Sequence, residues 1–286
     1  RHDTRAITMR RIRPANVGLL SLPATLYFLL LFALPLGVLL AESLHDRSGW
    51  TLAHYARFFA TAYNWSVIGR TLRVAVLCTL FCTILGYPAA FALARTRGLL
   101  QSALIAALLL PLSVSVIVKA FGWTVLLRGN GVINQALQAV GLTDAPLRLL
   151  FTEAGLLIGI TNIFLPFMVL PLFSVVRQLD PRLTDAAATL GSTPLHAFLT
   201  VTLRLTLPGL IAGITLVFSL SIAAYVIPTL LIGDPYQTLP TMIAPSFLYL
   251  QAPGKGSVAG VTLLVLSVAP IITSAALSRR FTGRGR

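Results

Sequence analysis

The sequence predicts an all-α integral membrane protein that crosses the bilayer six times. Of its 286 residues, 56% are hydrophobic and only 10% are charged, and the mean hydropathy is +0.86. A soluble domain carries about 25% charged residues. Apolar runs recur at 17–41, 67–94, 99–127, 154–176, 208–232 and 258–277, each about the 20 residues that cross a hydrocarbon core roughly 30 Å thick. Basic residues sit at the ends of these runs. With the N-terminus inside, 14 arginines fall on the inner side and 7 basic residues on the outer. That bias predicts both termini in the cytoplasm.

Taken in order, residues 1–16 form a basic cytoplasmic tail, 17–278 one membrane domain and 279–286 a second basic tail. The first apolar run exceeds the roughly 7–15 residues of a signal-peptide core, so it is expected to be a retained span. The second run holds both cysteines, Cys78 and Cys82. A disulfide inside one helical turn would be strained, and with no histidine or carboxylate nearby the pair is expected to pack as small apolar residues. Within 132–140, Ile133, Ala136, Leu137 and Val140 share a face, which predicts a short interfacial helix. The apolar stretch 239–251, broken by Pro245, is expected either to dip into the membrane or to cap a pathway.

Several functions are excluded. The arginines form no stripe interleaved with aromatics, so no nucleic acid is expected as a partner. The string "APGKGS" around Lys255 lacks the spacing of a phosphate-cradling loop, so the chain itself binds no ATP. All four histidines, His2, His45, His54 and His196, lie in tails or loops. No serine within a span therefore has a histidine base at membrane depth.

The segment between the fourth and fifth runs differs from the rest. Asp180 before Pro181 is a helix start. Leu183, Ala186, Ala187 and Leu190 then form one stripe, and Gly191 suits a left-handed stop. Thr193 and Pro194 begin a second helix with its stripe at Leu195, Phe198, Leu199 and Leu203. Two short helices around a glycine, on the cytoplasmic side, either rest on the lipid surface or dock a partner.

This segment, "DAAATLG" followed by "PLHAFLTVTLRLTLPGLIAG", resembles the EAA motif of binding-protein-dependent ABC importer permeases. Asp185, Ala186, Ala187 and Gly191 match Glu-Ala-Ala, three residues, glycine, with Asp for Glu. Nine residues on, Val201, Leu203 and Arg204 take the Ile-x-Leu-Pro positions, with arginine for proline. A Leu-Pro pair follows at Leu207-Pro208, where the helix break is then expected. The stretches "TLRVAVLCTLFCTILGYPAAFALAR", "LLPLSVSVIVKAFGWTVLLRGNGVINQAL" and "AAYVIPTLLIGD" are similar to the spermidine/putrescine branch, first-permease type, and the similarity spans residues 20–278.

The resemblance implies the type I importer permease fold, located in the bacterial inner membrane, with coupling helices between spans four and five. It implies that Asp185, Ala186, Ala187, Gly191, Pro194, Leu195 and His196 meet an ATPase subunit. ATP and Mg would be held by that ATPase, with no cofactor in this chain. The implied partners are a second homologous permease, two ATPase subunits and a soluble substrate-binding protein.

Polar residues at membrane depth are costly to bury and mark candidate pathway positions. Lys119, beside Trp123, either faces the pathway or a partner, or snorkels to the interface. Asn162, between Pro166 and the start of its span, lines a pathway or bonds a neighbouring helix. Ser219, Ser221 and Tyr225 lie in the fifth span, which borders the route in the resembled family; Tyr225 can present a ring face to a cation. Tyr87-Pro88 is expected to mark a kink rather than a contact. No Asp or Glu lies at the centre of a span, although a polyammonium ion would favour a carboxylate. Importers of other solutes (ferric iron, thiamine, an opine) and an ATPase-independent channel or secondary transporter are the alternatives.

Overall fold

The computed structural model describes residues 14–46, 49–180, 182–233 and 236–282. The chain begins with α1 (Pro14–Leu44), and a short antiparallel pair, β1 (His45–Asp46) and β2 (Gly49–Trp50), turns it into α2 (Ala53–Ala60). There follow α3 (Ala62–Arg95), α4 (Gly98–Ser113), α5 (Val116–Leu126), α6 (Val132–Ala139) and α7 (Glu153–Val176). Then come α8 (Arg182–Thr189), α9 (Pro194–Ala197), a π-helical turn over Phe198–Thr202, α10 (Leu203–Ile222), α11 (Val226–Leu231), α12 (Leu239–Leu248) and α13 (Pro253–Thr282).

Among the described residues, five helices are long and apolar enough to span a bilayer, and α4 with α5 makes a sixth candidate. The run 99–127 is not one straight helix. α4 and α5 meet at 101°, across Val114 and Ser115. Pro111 carries no N–H and sits just before the break; Val114 N–H then turns back to Pro111 O (3.2 Å) and Lys119 N–H restarts α5 on Ser115 O (3.1 Å). Hydropathy does not register this change of direction, because both arms are equally apolar.

The core is built where α3, α7 and α10 pack together. Met168 is fully buried in α7, with Gly86 of α3 and Gly213 of α10 on either side. A Cβ at Gly86 would lie 2.7 Å from Met168 Cγ, and one at Gly213 2.7 Å from its sulfur. Gly209, one turn earlier on α10, lies as closely against Pro171 and Val175. Small residues four apart let spanning helices approach, so that dispersion replaces the hydrophobic drive that lipid does not supply. Cys78 and Cys82 are free and fully buried in this cluster, as packing residues.

α1 is exposed over most of its described length and packs on α13, where Leu39 covers Gly260. Its C-terminal end is tied down by Ser43, whose hydroxyl bonds Leu40 O (2.7 Å) and Tyr55 Oη (2.9 Å). Stretch 239–251 forms α12, which packs against α13 and α3 with Leu239, Met242 and Ser246 buried. The interfacial helix expected at 132–140 is present as α6, but rotated: Ile133, Asn134 and Leu137 face inward, while Ala136 and Val140 are exposed. The buried side chain of Asn134 explains the rotation. Its amide donates to Arg128 O and Leu147 O (both 3.0 Å), and its carbonyl accepts from Leu147 N (2.8 Å).

Candidate functional site: a coupling end and a groove

At one end of the bundle, α8 stops where the sequence expects. Gly191 has φ +79°, and Ser192 N–H bonds back to Ala187 O (3.1 Å), which closes a helix terminus with a left-handed residue. Asp180 Oδ1 accepts from Arg182 N–H at 2.9 Å and so caps the helix start; Pro181 lies outside the described residues. Asp185 falls within α8, on the same turn as Ala186 and Ala187. Thr193 then caps α9 by accepting from His196 N–H, with Pro194 in the first turn.

Part of the apolar stripe of this segment is left uncovered by the described residues. Leu190 is 88% exposed and Leu195 69% exposed, and Pro194 and His196 are exposed beside them. Two exposed leucines on a rigid helix–glycine–helix corner form a surface suited to a protein cleft.

The corner is joined to the membrane bundle without a break. Residues Pro194–Ile222 form one helical run. The expected break at Pro208 is absent. The irregularity lies upstream, in the π-turn, where Leu203 N–H reaches Phe198 O. A π-turn absorbs one extra residue and relieves the ladder ahead of a proline that cannot donate to it. Tyr87 of α3 meets this region directly: its hydroxyl lies 2.8 Å from Thr206 Oγ1, and its ring is 5.8 Å, edge-on, from Phe198. Tyr87 is therefore a contact residue, and α3 runs on through Pro88 to Arg95.

Toward the other end, an open apolar groove of about 470 Å³ runs along α3, α5 and α7, lined by Phe81, Leu85, Trp123, Leu157, Thr161 and Asn162 among others. Two of the expected pathway residues, Trp123 and Asn162, thus meet in one groove. Gly159 makes room for Trp123 and for Leu231 behind it: a Cβ there would lie 3.5 Å from Trp123 and 2.6 Å from Leu231. Thr161 in the groove wall and Ser221 behind it are buried and, among the described residues, their hydroxyls lack partners; the Cys78 thiol sits beside both.

The remaining expected residues sit apart. Ser219 is half-buried, its hydroxyl also unpartnered. Tyr225 is 43% exposed at the turn between α10 and α11, and α11 is a separate helix rather than the end of the fifth span. Lys119 is half-buried one turn before Trp123, outside the groove lining. Sequence reading missed Phe81, Leu85 and Thr161. Thr161 beside Asn162, a polar pair inside an apolar run, was the available signal; Phe81 and Leu85 carried none.

A multi-span helical bundle with an open groove along its apolar helices and an exposed helix–glycine–helix corner at one end fits a class that the family and relatives show: the permease subunit of a transporter, which is not an enzyme. The chain belongs to the family of binding-protein-dependent transport system inner membrane components, whose pattern matches residues 83–283. It is 32% identical over 217 residues to the spermidine/putrescine transport system permease protein PotB of Escherichia coli K12, covering 76% of this chain and 78% of that one. It is 36% identical over 205 residues to the inner membrane ABC transporter permease protein YdcU of the same organism, covering 68% and 65%. Its fold matches a bacterial alginate ABC transporter solved in complex with an alginate pentasaccharide-bound periplasmic protein, with TM-score 0.77 and 18% identity over 94% of this chain and 96% of that one. The type I importer permease fold and the ABC importer setting follow from these matches.

Proposed function

We propose that this chain forms half of the translocation pathway of an ATP-driven importer for a polyamine or related small amine. The observation that carries the reading is the unbroken helical run Pro194–Ile222. It begins at the exposed leucines of the coupling corner and ends beside Thr161, behind the groove. Motion imposed on the corner by an ATPase is transmitted along one continuous helical run, through its π-turn, to the groove wall. The partners in this reading are a second permease, homologous rather than identical, two ATPase subunits holding ATP and Mg, and a soluble binding protein on the outer side. The arginine bias supports both termini in the cytoplasm, with the coupling corner on the same side. ATP binding closes the ATPase pair, the corner moves inward with it, and the groove opens to the outer face to receive solute from the binding protein. Hydrolysis resets the inward state. The relation to spermidine/putrescine permeases supports the substrate class.

The test is reconstitution of the complete complex in vesicles. Binding protein loaded with spermidine or putrescine is expected to stimulate ATP hydrolysis and uptake together. Stimulation by a different solute alone would remove the polyamine assignment, and failure of any ATPase to co-purify would remove the coupled reading. A second solute class is favoured by one observation: among the described residues, no carboxylate lines the groove. Under that reading, uptake follows an uncharged or anionic ligand.

A further inference from the structure

The arginines at the inner ends of the spans do more than set topology: three of them converge. Arg95 ends α3, Arg97 precedes α4 and Arg177 caps α7, and all three line one cleft of about 340 Å³. Its only carboxylate among the described residues is Asp180, which already caps α8 through the Arg182 amide. Among the described residues, no ion pair or hydrogen bond engages any of the three guanidinium groups. The floor of the same cleft is apolar, with Phe91, Val176, Leu183 and Leu205. A second cleft, of about 560 Å³, adjoins it through Phe91, Arg95 and Thr202 and continues over Tyr87, Pro88 and Phe198.

Guanidinium groups match phosphate oxygens in a planar, two-point fashion. A small soluble anion would satisfy the arginines and leave the apolar floor wet. A purely acidic peptide, without apolar side chains, would leave it wet as well. An anionic phospholipid satisfies both: phosphate on the arginines, acyl chains over Phe91 and the aliphatic floor. Basic pockets between spanning helices at the headgroup level hold acidic lipids for this reason. We infer that the cleft between the inner ends of α3 and α7 is a binding site for an anionic phospholipid, with Arg95, Arg97 and Arg177 on its phosphate. Leu183 of α8 and Thr202 of the π-turn wall the two clefts, so a bound lipid touches the coupling segment itself. The inference requires only that these helix ends lie at headgroup depth; it does not depend on the transported solute.

The test uses native mass spectrometry of the full chain in detergent, with phosphatidylglycerol and phosphatidylcholine of identical acyl chains. Phosphatidylglycerol is expected to be retained at least about tenfold better. The double variant Arg97→Gln/Arg177→Gln should lose that preference, while Arg148→Gln, at the opposite end, should keep it. The wild-type comparison needs no variant and stands if the double variant does not fold. Equal retention of the two lipids, or an unchanged preference in a folded double variant, overturns the site. Full displacement by glycerol 3-phosphate at equal concentration overturns the lipid assignment in favour of a soluble anion. A lipid-free cleft in the ATPase-bound complex, with Arg177 cross-linking to the ATPase, overturns it in favour of a protein partner.

Discussion

The hydroxyl of Tyr87 lies 2.8 Å from Oγ1 of Thr206, bridging α3 and α10 just above the π-turn. Thr206 is fully buried and also bonds back to Thr202 O at 3.0 Å, so the bridge joins the groove-lining α3 to the helical run that begins at the helix–glycine–helix corner. Tyr87→Phe removes one bond but keeps the ring against Phe198. It is expected to cost about 1 kcal/mol in stability and to leave uptake largely intact. Tyr87→Ala removes the ring contact too, and should let ATP hydrolysis run without uptake. Parallel assays of hydrolysis and uptake in vesicles check this; an Ala variant as well coupled as wild type would refute it.

At Gly191 the restriction comes from the backbone. A Cβ there would meet nothing within 4 Å, but φ is +79°, where an ordinary L-residue loses roughly 1–2 kcal/mol. Gly191→Asn, which tolerates that region, should keep ATPase stimulation near wild type. Gly191→Val should lose most of it while the protein still inserts and melts normally. Co-purification of the ATPase with each variant measures the effect directly.

The contrast between Gly191 and Asn134 shows how far the sequence is legible. Gly191 ends a stripe of apolar residues spaced for a helix, a signal contained within about ten positions, and the corner is found as expected. The π-turn at Phe198–Thr202 is displaced from Pro208 because the strain of a missing N–H can be relieved a turn or two upstream. Asn134 bonds Leu147, 13 residues away, and periodicity carries no trace of such a bond. The 101° bend after Ser113 had a local signal in Pro111, Ser113 and Ser115, yet an apolar run has the same hydropathy straight or folded. The groove depends on packing between three helices, so only two of its members, Trp123 and Asn162, stood out, and the polar Thr161 did not.

Asn134 itself gives a stability prediction. Asn134→Ala removes the side-chain partner of the Leu147 N–H and of the Arg128 and Leu147 carbonyls; because these residues are themselves exposed, water replaces part of the loss, at about 1 kcal/mol for each bond. The segment between α5 and α7 should become protease-sensitive, and the melting temperature in detergent should fall. Asn134→Asp keeps the acceptor for Leu147 N–H but sets a carboxylate against two carbonyls, so it should rescue little.

Met168 gives a test of the core by paired substitution. Gly213→Ala places a methyl group 2.7 Å from the Met168 sulfur, where a backbone atom of the same residue lies at 3.3 Å. It should destabilise the bundle by pushing α10 from α7. Met168→Ala alone leaves a cavity, at about 2–5 kcal/mol. The double variant should be more stable than the two separate losses predict, with a coupling of about 0.5–3 kcal/mol. Additive losses in thermal melts would mean that the two helices do not meet through this pair.

The last prediction concerns the groove and uses a property of the chain's own cysteines. Cys78 and Cys82 are both 0% exposed, so a water-soluble maleimide should leave the wild-type protein unlabelled. Asn162 is exposed on the groove wall; Asn162→Cys should therefore be labelled, while Thr161→Cys, one residue earlier and buried at 6% exposure, should react far more slowly. If the groove is part of the pathway, labelling of Asn162→Cys must change with the transport cycle. In the reconstituted complex, trapping the ATPase pair closed with a non-hydrolysable nucleotide should alter its rate several-fold, and loaded binding protein should protect it. Trp123→Ala, which opens the groove beside Gly159, should raise the rate in both states. A rate that is the same with and without nucleotide, in a complex that still hydrolyses ATP, would place Asn162 on a static lipid-facing or partner-facing surface. Solute passage would then have to run along another face of the bundle.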